Sequence, residues 1–93
     1  MNILDYIPYG YENAVTLSML QTMTGCTCRE IRRLIEQAFI NGDPIINLQD
    51  GKGYFQPTED DFELVQKYIR QEESRISKLI DKYIVVKKYL KGE

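Results

Sequence analysis

Thr24-Gly25-Cys26-Thr27-Cys28-Arg29-Glu30-Ile31-Arg32-Arg33-Leu34-Ile35 decides the fold, because twelve consecutive residues hold a helix stop, a helix cap and a cationic helix face. Gly25 has the backbone freedom to end one helix before another begins, and Cys26 is a small apolar plug. Thr27 is a good N-cap, and Glu30 three residues on can close a capping box, so a new helix is expected from Cys28. On a helical wheel Ile31, Leu34, Ile35 and Ala38 share one side, Arg29 and Arg33 lie nearly opposite, and Arg32 sits on the flank. The pattern reads as the turn and second helix of a helix-turn-helix. Guanidinium groups bind phosphate oxygens and fork onto the major-groove edge of guanine, so a helix buried on one side and arginine-bearing on the other suits duplex DNA. The plain alternative is a solvated arginine face on an ordinary core helix, and the flanking sequence weighs against it.

Upstream, Ile3, Leu4, Tyr6 and Ile7 precede a Pro8-Tyr9-Gly10 break, which predicts a short helix ending near Ile7 and a tight loop. Thr16 can cap a supporting helix from about Leu17 to Met23, with Leu17, Leu20 and Met23 inward. Downstream, Asn41-Gly42 stops the arginine helix and Asp43-Pro44 forbids its continuation. Two short β-prone runs follow, Ile45 to Leu48 and Gly53 to Gln56, joined around Asp50-Gly51, a strong hairpin signal. With Asp50 and Gly51 at the centre of the turn, Gln49 faces Lys52, Asn47 faces Tyr54 and Ile46 faces Phe55. Ile46 and Phe55 then point to the core. A hairpin in this place is what a winged helix-turn-helix adds to the bare motif, with Lys52 at the tip as a phosphate contact; the other reading of Gly51-Lys52-Gly53 is a flexible turn. It is not a P-loop, since the glycines are too close together and no Gly-Lys-Ser/Thr follows.

Pro57-Thr58-Glu59-Asp60-Asp61 opens the last element with a Thr cap and three acids that complement a helix dipole. From there to Tyr89 the chain has neither proline nor glycine. Phe62, Ile69, Ile76, Tyr83 and Leu90 recur every seven residues, and Val65, Leu79 and Val86 fill three of the four positions three residues later. This is a heptad seam on a helix whose length is on the order of 50 Å. So small a domain cannot cover it, and a second copy is the expected partner, through Ile69, Ile76, Leu79, Tyr83, Val86 and Leu90. Glu72 interrupts the seam, so the proximal part is expected to pack on the chain's own domain and the part from Ile76 to Leu90 on the other chain. A parallel pairing would bring Lys82 to Lys87 of the neighbour, which favours an antiparallel or higher-order arrangement. The expected organisation is a winged helix-turn-helix domain over residues 1–57 and a self-associating C-terminal helix over 58–93.

Ninety-three residues, 43% of them hydrophobic, suit one folded domain with an extended element. No stretch resembles a secretory or membrane-spanning segment, and a cytoplasmic location is expected. Cys26 and Cys28 are too close for an easy disulfide, and with no histidine in the chain no metal site is expected. With no nucleophile beside a base, no enzyme, cofactor or small-molecule substrate is expected either. The net charge of −2 is the main objection to a DNA partner. Residues 1–57, however, hold only four basic side chains, and Arg29, Arg32 and Arg33 are three of them. Positive charge is concentrated where the motif needs it.

Taken together, Ile7-Pro8-Tyr9-Gly10, Glu12-Asn13-Ala14-Val15-Thr16, the Thr24 to Ile35 motif, Gly42 to Ile46 and Gly53-Tyr54-Phe55 resemble small winged helix-turn-helix proteins encoded by phages and prophages of Gram-positive bacteria. In that family a Ser or Thr cap precedes the arginine helix, matched here by Thr27, and an arginine pair is matched by Arg32 and Arg33. Cys26 and Cys28 depart from the family pattern, whose residues there are more often aliphatic and polar or acidic. The resemblance implies a mainly α fold with a small β-hairpin, and a DNA-binding role in transcription or replication of a phage or mobile element. The expected mechanism is a dimer that reads double-stranded DNA, Thr27 and Arg29 touching backbone or base edges, Arg33 reading a base, Arg32 and Lys52 holding phosphates. The alternative is a protein-protein adaptor that uses the winged domain and the coiled coil without touching DNA, which the near-neutral charge and seven tyrosines accommodate. Steep loss of duplex affinity with salt separates the first from the second.

Overall fold

Thr16 turns the chain into its first α-helix by accepting the Met19 N–H on Oγ1 at 3.2 Å, and α1 spans Leu17–Thr24 in the computed structural model, which describes residues 1–92. The helix stops at Gly25, whose φ of 74° is left-handed and whose N–H bonds back to the Gln21 carbonyl at 2.9 Å. Thr24 ties the turn from both sides, its hydroxyl donating to the Leu20 carbonyl at 2.7 Å and accepting the Cys26 N–H at 3.1 Å. Three residues later α2 begins, spanning Cys28–Ile40.

The two helices pack on each other, and α2 packs on the 3₁₀ turn Ile3–Asp5, which stands where a short helix was expected. Leu20, Ile31, Ile35 and Ala38 meet Ile3, Ile7, Val15 and Ile45 in one buried cluster, edged by Leu17, Leu34 and Cys26. Leu20 and Ile31 are 0% exposed, and burial of such side chains is worth about 1.5–3 kcal/mol each. Met23, expected inward, is instead 45% exposed. On so short a helix the core takes one narrow stripe, Leu20 with Leu17 at its edge.

The chain leaves α2 at Asn41 and Gly42 and forms a two-stranded antiparallel hairpin, β1 (Ile46–Asn47) and β2 (Tyr54–Phe55). Its register is the expected one, Ile46 opposite Phe55 and Asn47 opposite Tyr54. The ladder stops there, so Gln49 and Lys52 are not a strand pair. Asn47 Oδ1 accepts the Gln49 N–H at 2.8 Å, and Gln49 takes a left-handed φ of 59°, which bends the chain out of strand geometry before the tip. Leu48 thereby turns into a second buried cluster with Ile46 and Phe55.

A third segment runs beside β2. Val15 and Tyr54 exchange backbone hydrogen bonds of 3.0 and 2.7 Å, and Gly53 lies so close that a Cβ there would overlap the Val15 carbonyl. Gln56, buried at the end of the hairpin, donates from Nε2 to the carbonyls of Ile7 at 2.7 Å and Leu4 at 3.2 Å. One side chain thus ties the N-terminal segment to the sheet. A buried amide left unpaired would cost about 1–3 kcal/mol.

The last helix, α3, spans Phe62–Leu90 after a 3₁₀ turn at Glu59–Asp61. The acid run is structural at its start: Asp61 is buried, its Oδ2 accepting the Thr58 N–H at 2.9 Å and the Thr58 hydroxyl at 3.1 Å. Leu64 and Tyr68 pack against Ile46, Leu48 and Phe55 and dock the first turns of α3 on the hairpin. That corrects the expected packing of the seam's proximal part. Phe62 is 66% and Ile69 47% exposed, because Leu64 lies roughly 160° around the helix from Phe62 and Tyr68 roughly 100° from Ile69. Every residue from 73 to 92 is exposed. The helix leaves the packed body and stretches the molecule to 52 Å along its longest axis. No helix among the described residues is long and apolar enough to cross a membrane.

Candidate nucleic-acid interface

α2 owes its position to the cap at Thr27, whose Oγ1 accepts the Glu30 N–H at 3.2 Å. The expected return bond from Glu30 to the Thr27 N–H is not made. Instead the Thr27 hydroxyl donates to the Glu30 carboxylate at 3.1 Å, so the acid is held over the first turn beside the helix dipole. Both hydrogen-bonding directions of the Thr27 hydroxyl are therefore used in the cap. A hydrogen bond donated by the Thr27 hydroxyl to a phosphate would have to displace Glu30.

Arg29, Arg32 and Arg33 are all exposed, Arg29 and Arg33 opposite the buried stripe of Ile31, Ile35 and Ala38 and Arg32 on its flank. They line one shallow concave surface together with Glu30 and Glu36. Among the described residues the only ion pair is Glu72–Arg75, so none of the three guanidinium groups is bound to a carboxylate. Their full set of N–H donors points to solvent from a rigid, capped helix, an arrangement suited to planar acceptors such as phosphate or guanine edges. The two acids on the same surface reduce its charge and penalise wrongly placed anions.

Lys52 stands apart from this cluster. The hairpin tip folds back on Tyr11, whose ring packs edge-on against Phe55 with centroids 5.6 Å apart. The Tyr11 hydroxyl donates to Asp50 at 2.6 Å, Asp50 accepts the Lys52 N–H at 3.1 Å, and Lys52 Nζ sits 5.3 Å from the Tyr11 ring centroid. These contacts join the tip to Tyr11 in a hydrogen-bonded clasp. Tyr11 and Asp50 are 39 residues apart in sequence, and no local pattern joins them. The six seam positions, Ile69, Ile76, Leu79, Tyr83, Val86 and Leu90, are all exposed on α3 and belong to neither buried cluster.

The clasp has a pH signature. Hydrogen bonds from the Tyr11 hydroxyl and then the Lys52 N–H hold the Asp50 carboxyl below its ordinary value of 3.8, while the bond to Asp50 raises the Tyr11 phenol above 10.0. A lowered acid stabilises the fold above 3.8 and loses that contribution as pH falls through the lowered value; a raised phenol contributes below 10.0 and loses it as pH rises through the raised value. The clasp is closed across the neutral range and opens at either extreme. Side-chain carbon NMR of Asp50 should show a midpoint below 3.8 that moves upward in Tyr11→Phe, with the rest of the spectrum unchanged. An unmoved midpoint would show that the bond does not persist in solution.

Cys26 and Cys28 are free thiols, half-buried, and Cys26 packs against the core of the head. No group of three or more His, Cys, Asp or Glu side chains that could hold a metal occurs among the described residues. The chain matches no protein-family model, no curated protein and no solved structure.

Proposed function

We propose that this chain binds double-stranded DNA with sequence selectivity as a winged helix-turn-helix, α2 entering the major groove and the β1–β2 hairpin serving as the wing. The observation that carries the reading is the trio Arg29, Arg32 and Arg33, free of carboxylate partners on the outer face of a helix set by a three-residue turn against α1. Arg33 reads a base edge, Arg29 and Arg32 hold backbone or base edges, and Lys52 reaches phosphate by leaving the Tyr11 ring. α3 brings two or more heads together, so each can bind weakly while the assembly binds well. The role this fits is control of transcription or replication in a phage or mobile element, as the resemblance implies.

Duplexes selected from a random pool and titrated by fluorescence anisotropy test the reading. Arg33→Ala should cost about 1–3 kcal/mol and relax selectivity at one position, while Lys52→Ala should weaken all sequences alike and flatten the salt dependence. Unchanged affinity in both variants at low salt removes the mechanism. A second reading, a protein-protein adaptor, is favoured by one feature of the same helix: Phe39 and Ile40, at the end of α2, are exposed apolar side chains. No duplex binding at about 50 mM salt would select it.

A further inference from the structure

Charge is segregated along α3. Residues 58–73 carry six acids and two bases, whereas residues 74–93 carry six bases and two acids. The first half of the helix and its cap are net negative, and the second half is net positive to the same degree. The seam formed by Phe62, Val65, Ile69, Ile76, Leu79, Tyr83, Val86 and Leu90 runs through both halves, and intramolecular packing uses the Leu64–Tyr68 face instead. Val65 is half-buried and the other seven are exposed, so a second copy can reach the seam without interruption from Ile69 to Leu90.

We propose that α3 pairs with α3 of a second copy in antiparallel orientation, the basic distal half of each helix lying on the acidic proximal half of the other. The proposal rests on the self-association already inferred for this helix and fixes its direction. A parallel pair would set acidic half on acidic half and basic on basic, and would bring Lys82 against Lys87 across the seam. The head strengthens the preference, since residues 1–57 carry six acids against four bases, and the antiparallel arrangement brings the partner's lysine-rich end toward it. Glu72, the one acid in the seam, does not oppose the pairing. Its carboxylate is already bound to Arg75 at 2.9 Å within its own helix. Near the middle of the overlap that ion pair can stay at the edge of the interface, where partial hydration keeps its cost low. The consequence is geometric: the two heads sit at opposite ends of the rod, on the order of 40 Å apart, and not side by side.

Screening gives opposite signs for the two orientations. In sedimentation of the full chain, raising sodium chloride from about 50 to 500 mM should weaken an antiparallel assembly by about tenfold and tighten a parallel one. Lys82→Glu, at an exposed position that does not bear on folding, supplies the second arm. It should weaken the antiparallel assembly by about threefold, because the new acid meets an acidic half, and tighten a parallel one, where it would meet Lys87. Tightening in either arm overturns the orientation while leaving self-association standing. A chain that sediments as a monomer at every salt overturns both, and neither result depends on whether DNA is bound.

Discussion

Gly53→Ala is expected to lower the unfolding free energy by about 3–4 kcal/mol, the largest loss from any single methyl group in this chain. Two costs combine. Gly53 has a φ of 101°, a left-handed conformation that costs a residue with a Cβ about 1–2 kcal/mol. The added Cβ would also overlap the Val15 carbonyl, which is backbone and cannot rotate away. Separating the strands to relieve that overlap breaks both Val15–Tyr54 hydrogen bonds, each worth about 1 kcal/mol net. Gly51→Ala is the matched control, for its φ is 92° but nothing lies within 4 Å of the built Cβ. It should lose only the backbone share, about 1–2 kcal/mol. Thermal melts followed by circular dichroism would show Gly53→Ala lower by more than about 10 °C and Gly51→Ala by less. Equal losses would mean that the close approach of the hairpin to Val15 contributes nothing.

Ending the chain at Glu73 is expected to leave the head folded and to reduce DNA affinity by about 10²-fold or more. Residues 73–92 are all exposed, while Leu64 and Tyr68, which dock α3 on the hairpin, are retained. The removed segment carries Ile76, Leu79, Tyr83, Val86 and Leu90, five of the six seam positions expected to hold two copies together. Two weak heads joined in one particle bind the second site at a high effective concentration, and that gain disappears with the seam. Sedimentation should show a monomer with an unchanged near-native melt, and anisotropy should show the affinity of a single head. A shortened chain that still assembles, or that binds duplex as tightly as the full one, contradicts the role assigned to the distal helix.

Local signals carried the reading of the sequence wherever the physics is local. Thr16 and Thr27 cap the helices they were expected to cap, Gly25 ends α1 in the left-handed region, and Asp50-Gly51 sets a register that pairs Ile46 with Phe55. The mainly helical composition, the small hairpin and the long last helix follow from such signals. What pattern could not reveal was which of several apolar stripes a helix would bury. α3 has two: the heptad positions repeat more regularly, yet Leu64 and Tyr68 are the ones that meet Phe55, because the exit angle from Asp61 points them at the hairpin. The same limit applies to the tip. Asp50 and Lys52 look like loop residues until Tyr11, brought alongside by the Val15 bridge, gives them a partner. The arginine face was legible because helical periodicity alone turns Arg29 and Arg33 away from Ile31 and Ile35.

The separation of the two stripes on α3 has an outcome for how such a chain would be governed. Since one flank completes the fold and the other is left bare, a solitary molecule is whole, and valency becomes a function of abundance. Scarce copies would present one grip each and let go readily; once numerous, they would couple and hold, so occupancy would climb more steeply than copy number without any effector.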